Sequence, residues 1–430
     1  MPFYLLLLIL IKKEYVGNRE ELPVILALSE NRFRDDLRIL SGVSGFTIYT
    51  IKADWLIRIA RLFYDDNYNI NRTDFFGENI PQKILAAREI YRSLLRSTLP
   101  KVFKVFNIKC VIGAAIGYKQ DYDFGAVSNS LGCPYIVLQR ENLITNKAHY
   151  EFFREKAETL IPFEGSYIVT HNDVCKKAFI DCGYASEENI SSLGCLRMDE
   201  YVSKLEQKNI TSEAKCVTLF SFPPGVGVLD KYYLENLGNK NWPEKDRLGL
   251  FNYYRNVHVT FTELARDNPE INFYIKTKNS GDWIDNVKNI IQSAGIELNN
   301  ISNLIITNDI NVQELIKKSS VICGYGSTTL LEASIIAKPV VVPFFDELTQ
   351  EKYKDYAHFP DEMDIFDIAK TTEDFKRLII ERINSNIISD NVMERRKEVF
   401  EKYVSSLSGD ATRKYTDLII EINKAVYSNN

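Results

Sequence analysis

Apolar residues recur along this chain of 430 residues in short continuous runs, and amphipathic stretches separate them. From the amino end, "FYLLLLILI", "GFTIYTI", "IKCVIGAAIG", "PYIVLQ" and "SYIVTHND" read as strands buried on both faces. Between them "REELPVILALSENR", "PQKILAAREIYRSLLRSTLPKVFKVF" and "DVCKKAFIDCG" are predicted helices. The first run is too short to span a bilayer, has no basic segment ahead of it and no small-residue cleavage site after it. It is therefore expected to be the first strand of a parallel sheet.

The polar stretch Lys204 to Lys215, "KLEQKNITSEAK", has no apolar period and reads as a linker. After it the rhythm restarts: strands at "CVTLFSF", "INFYIKTK", "NLIITND", "SVICGYG" and "PVVVPFF", helices at "NVHVTFTELARDN", "WIDNVKNIIQSAG", "NVQELIKKS" and "TTLLEASIIA". Such βα alternation predicts an α/β protein with two doubly wound sheets. The expected organisation is a first domain over 1–205, a second over 206–371, and a charged helical segment over 372–430 that returns to the first. Two such sheets are expected to face each other across a cleft between the carboxyl ends of their strands.

Composition narrows the function. The chain is 45% apolar and 26% charged, as a globular protein is. A net charge of −5 gives no basic footprint for nucleic acid. Seven cysteines without a CxxC pair and four histidines without metal-like spacing point to reduced thiols in the cytoplasm and to no metal centre. A peripheral contact with the inner face of a membrane stays compatible with the apolar amino end.

The stretch most suggestive of chemistry is "CGYGSTTLLEASIIAKPVVVPFFDE", Cys323 to Glu347. A strand ends at Cys323, Gly324 and Gly326 permit a tight turn, and Ser327, Thr328 and Thr329 open a helix. Free amides, the helix dipole and three hydroxyls together suit a phosphate, although one hydroxyl alone would be an ordinary cap. Glu332, one turn on, is placed for a ribose hydroxyl. Lys276 and Lys278 share one side of a strand end by the period of two and are expected to reach the same phosphate.

This segment resembles the donor-nucleotide motif of GT-B glycosyltransferases, those of bacterial surface polysaccharide and lipopolysaccharide synthesis included. "KKEYVGNREELPVILALSE" is similar to the opening of their first domain, "ENISSLGCLRMDEY" to their GxxRxD run at Gly194, Arg197 and Asp199, and "NPEINFYIKTKN" to their strand ending in a basic or His-Pro pair. The match follows the chain in order over most of its length. Where many relatives have His-Pro, this chain has Thr277-Lys278, so the imidazole's role does not carry over. The resemblance implies two Rossmann-like domains, a nucleotide-sugar donor, an oligosaccharide or lipid-linked glycan acceptor, and no cofactor or catalytic metal. It extends to transferases that use CMP-linked Kdo.

Carboxylates at strand ends are the candidates for acid–base or nucleophilic work: Glu141, beside Arg140 in "YIVLQRENL", and Asp230, in the Pro-Gly loop "FPPGVGVLD". Arg140 is expected to assist donor binding. An inverting enzyme would use one carboxylate as base on the acceptor hydroxyl. A retaining one would use a carboxylate as nucleophile, and Asp230 is then the candidate. "DYD", Asp121 to Asp123, reads as a loop on the acceptor side. Rival readings are a sugar-nucleotide 2-epimerase of the same fold, which the scarcity of histidine disfavours, a non-catalytic subunit, and a two-lobed binding protein.

Overall fold

The computed structural model describes residues 3–64, 70, 72–77, 79–158, 160–203, 205, 215–224, 249–278 and 282–428. Two helix-flanked sheets are present, parallel but for one edge strand, as the sequence rhythm implies. Eight helices are named below: α1 (Phe3–Leu10), α2 (Arg34–Gly42), α3 (Ala53–Arg61), α4 (Gln82–Phe106), α5 (Lys119–Ser130), α6 (Phe251–Asp267), α7 (Thr328–Ile335) and α8 (Ala411–Ser428). The chain divides into two compact units. One comprises Met1–Asn142, Phe153–Ser203 and Lys402–Asn430, the other Leu143–Phe152 and Lys204–Glu401.

The first unit carries β1 (Lys12–Tyr15), β2 (Val24–Leu28), β3 (Ile48–Ile51), β4 (Ile108–Gly113), β5 (Tyr135–Leu138), β6 (Tyr167–Thr170) and β7 (Ile190–Ser192). Their order is β1-β3-β2-β4-β5-β6-β7, with β1 antiparallel at the edge. Connections run from β2 outward to β3 and then back to β4, so the strand order reverses between β2 and β4.

The amino end departs from expectation. "FYLLLLIL" is helix α1, and the edge strand begins only at Lys12. An all-apolar run has the same pattern in a buried strand and in a helix, so the alternation cannot separate them. The helix buries Leu7 and leaves Leu5 and Ile9 44% and 54% exposed. "REELPVILALSENR", expected as helix, holds central strand β2. Pro23 and the short apolar run favour a strand there, and neighbours on both sides complete its ladder.

Unit one's core joins Ile25 and Ala27 of β2, Leu37 and Leu40 of α2, Cys110 and Ile112 of β4, and Tyr415 and Ile419 of α8. Residues 372–401 pack with the second unit and 402–430 with the first, where the sequence expectation placed the whole segment. Arg396 shows what holds the former: its buried guanidinium donates to the carbonyls of Ile365, Ser334 and Lys338.

The GxxRxD run anchors α8. Asp199 accepts the backbone N–H of Ala411 and Thr412 at 3.1 and 2.7 Å, capping that helix with a charge of favourable sign. The Gly194 carbonyl accepts from Tyr415 Oη, and its φ of 86° suits glycine. A Cβ there would lie 2.6 Å from Ser405 Oγ. Arg197 pairs with Asp36 of α2.

The second unit carries β8 (Cys216–Phe220), β9 (Asn272–Lys276), β10 (Leu304–Thr307), β11 (Val321–Gly324), β12 (Val340–Pro343) and β13 (Asp367–Ala369). Their order β10-β9-β8-β11-β12-β13 is the 3-2-1-4-5-6 winding of a dinucleotide fold, all parallel. Its switch point lies between β8 and β11.

Candidate functional site

At that switch point β11 ends at Gly324, opposite Phe220 of β8, and Phe220 faces Lys276 of β9 on its other side. Three neighbouring strand ends thus release their chains at one edge. Strand spacing of about 5 Å brings Ser221, Thr277 and the glycine turn together at that edge, where Ser221 and the turn are half-buried and Thr277 is buried.

The turn is built as its residues require. Gly326 takes φ 60°, the left-handed region. Ser327 returns to extended backbone and caps α7, its Oγ accepting from Thr329 N at 3.3 Å and lying 2.8 Å from Thr329 Oγ1. Gly326, Ser327, Thr328 and Thr329 are half-buried, so their polar groups stay reachable. Behind them Tyr325 is buried, its ring edge-on to Phe222, Tyr253 and His358. Its Oη accepts from His358 N. This aromatic packing fixes the turn.

The other predicted residues fare unevenly. Glu332 lies on α7 as expected but is 3% exposed, with Oε2 accepting from Gln313 Nε2 at 3.2 Å. Lys276 does not point outward: its Nζ donates to Thr277 O and Asn308 O, both at 2.8 Å, and burial pushes its ammonium below the usual lysine value. Those strand-end carbonyls lack ladder partners, and the lysine satisfies them. Lys278 is exposed. Glu347, which closes the quoted stretch, caps α6 by accepting from Asn252 N and Tyr253 N. Asp230 lies outside the described residues.

Arg140 and Glu141 belong to the first unit. Arg140 pairs with Asp36 and donates to Arg32 O, which commits it to holding α2 and the turn before it. Glu141 follows β5 with its side chain exposed.

Two pairs escaped the sequence reading. In the second unit Ser221 Oγ lies 2.8 Å from His258 Nε2. In the first, Ser29 at the carboxyl end of β2 bonds Asp121 across that sheet's own switch point. Ser29 sits at φ 54°, ψ 44°, a left-handed conformation uncommon for serine. Gln120 Nε2 also donates to its Oγ. "DYD" is no loop: it forms the first turn of α5 with both carboxylates buried. Asp123 pairs with Arg88 and Arg92 and accepts from Tyr64, whereas the fully buried Asp121 meets no cation at ion-pair distance among the described residues. Burial therefore pushes its carboxyl up to about 7, against the Ser29 hydrogen bond that lowers it. The signal for both pairs was position after a strand at a reversal of strand order, which needs the topology to be seen.

Among the described residues no group of three His, Cys, Asp or Glu side chains is arranged to hold a metal ion. No helix among them is long and apolar enough to cross a membrane.

No protein-family model matches the sequence, and no curated protein matches it. Solved structures similar to it include the UDP-GlcNAc 2-epimerase of Neisseria meningitidis, 15% identical over 93% of this chain and 100% of that one, with a TM-score of 0.47. A glycosyltransferase of Rickettsia africae is 12% identical over 95% and 100%, at 0.46. MurG of Acinetobacter baumannii is 10% identical over 93% and 99%, at 0.43. Likenesses of this depth add nothing to the architecture already given by the strand orders, and they say nothing of activity.

Proposed function

We propose that this chain is a glycosyltransferase that moves a sugar from a CMP- or UDP-linked donor, CMP-Kdo among them, to a growing surface polysaccharide or lipopolysaccharide acceptor. The observation that carries the reading is the second unit's switch point. There a left-handed glycine turn delivers Ser327, Thr328 and Thr329 to the amino end of α7, beside Ser221 and Thr277. Hydroxyls and orphan amides at a helix start favour a phosphate, and a leaving nucleotide's charge is stabilised there without a metal ion.

Purified protein incubated with UDP-, CDP- and CMP-sugars is expected to release nucleotide faster when acceptor glycan is added. Interconversion of UDP-N-acetylglucosamine with its 2-epimer would assign the epimerase activity instead. Tight binding without turnover on any acceptor would assign a scaffold role.

We also infer peripheral membrane association through the first unit. Helix α1 has no charged residue and exposes Leu5 and Ile9, and Lys12 and Lys13 follow it at the surface. On α3, Trp55 is exposed with the guanidinium of Arg58 4.7 Å over its ring, a pairing suited to a headgroup layer. Leu5→Lys with Ile9→Lys is expected to abolish sedimentation with anionic vesicles. Unchanged sedimentation would remove this part of the reading.

A further inference from the structure

His258 of α6 is fully buried, and both of its ring nitrogens are engaged. Nδ1 lies 2.7 Å from the carbonyl oxygen of Tyr254. A carbonyl only accepts, so Nδ1 carries the ring's hydrogen. Burial pushes the imidazole down to about 4, opposed by that backbone bond, so the ring is neutral near pH 7. Nε2 is then a bare acceptor.

Ser221 Oγ stands 2.8 Å from this Nε2 and must donate its single proton to it. The half-buried hydroxyl therefore turns only lone pairs toward the switch point. Its position is firm: Ser221 N donates to Lys276 O at 2.9 Å, and the next side chain, Phe222, stacks on Tyr253 at 5.1 Å and packs on His258 at 5.6 Å. Turning the proton away would leave the buried Nε2 without a donor while His258 keeps its tautomer.

An ionised phosphate oxygen also only accepts, so Ser221 and a phosphate are mismatched. Ser327 and Thr328, at the helix start, suit the phosphate; Ser221 suits a group that donates. We propose that Ser221, oriented by His258, accepts a hydrogen bond from a hydroxyl or N–H of the sugar carried on the nucleotide's phosphate, and so distinguishes sugar nucleotide from free nucleotide. This inference rests on the nucleotide-sugar reading above. Ser221 is the contact residue, and His258 is a positioning residue that acts through it.

Equilibrium binding of UDP, UDP-N-acetylglucosamine, CMP and CMP-N-acetylneuraminate to the full chain tests it. Ser221→Ala is expected to weaken binding of the sugar nucleotide about tenfold while leaving the parent nucleotide within about twofold of wild type. His258→Phe, which returns the proton to Ser221, is expected to narrow the same preference. His258→Gln, whose amide oxygen can replace Nε2 as acceptor, is expected to retain it. A merely structural role would shift both ligands together, so equal losses in Ser221→Ala, or none, would overturn the inference and leave the phosphate site standing. A covalent adduct on Ser221 seen by mass spectrometry would overturn it too, because it would make the oxygen a nucleophile. Wild-type protein that binds none of the four probes would remove the nucleotide-sugar reading and this inference with it. Should His258→Phe not fold, Ser221→Ala decides alone.

Discussion

Ser29 Oγ donates to Asp121 Oδ1 at 2.5 Å, and among the described residues Asp121 Oδ2 has no hydrogen-bond partner. Because burial outweighs that bond, the folded chain holds a proton on Asp121 up to about pH 7, whereas the unfolded chain releases it near the ordinary aspartate value of 3.8. Between those values the native state binds more protons, so this group's contribution to stability falls as pH rises through the window. Asparagine keeps the acceptor for Ser29 and cannot ionise. Asp121→Asn is expected to gain stability relative to wild type above pH 7, by at most on the order of 4 kcal/mol. Melting temperatures of the two proteins at pH 5 and pH 8 check this, and parallel shifts in both would contradict it.

The glycine turn and Lys276 are expected to respond in opposite ways. Ser327→Ala with Thr328→Ala should lower nucleotide affinity by about tenfold, for roughly 1 kcal/mol of stability from the lost cap. Lys276→Met leaves the carbonyls of Thr277 and Asn308 unpaired, so it should cost about 2 kcal/mol of stability. Denaturant titrations beside binding isotherms separate the two behaviours. Intact stability with lost affinity in Lys276→Met would instead place that ammonium on the ligand.

Asp199→Ala removes both acceptors at the start of α8 and is expected to destabilise the protein by about 1 to 2 kcal/mol. Asp199→Asn, which keeps one of the two acceptor oxygens and loses the charge, should recover part of that. A urea midpoint equal to wild type for the alanine variant would show that the helix start is satisfied otherwise.

What the sequence revealed depended on distance along the chain. The helix cap and its turn occupy consecutive residues, Gly326 to Thr329, and local chemistry suffices to find them. Ser221 and His258 are 37 residues apart and Ser29 and Asp121 92 apart, and neither pair has a local signature. Ser29 was further hidden because the segment holding β2 reads as helix: charged residues flank five apolar ones, and only ladders to β3 and β4 make them a strand. Lys276 was placed on the correct strand end, but the period of two says nothing of which carbonyls claim its ammonium.

The closure of the first unit's core by Tyr415 and Ile419 has a bearing on biosynthesis. A ribosome makes residues 204–401 of the second unit before it reaches α8. The second unit therefore has all of its residues while the first still lacks its final helix, with Cys110, Ile112 and their neighbours uncovered at that place. The first unit's core can be completed only once α8 has been made, after the last residue of the second unit.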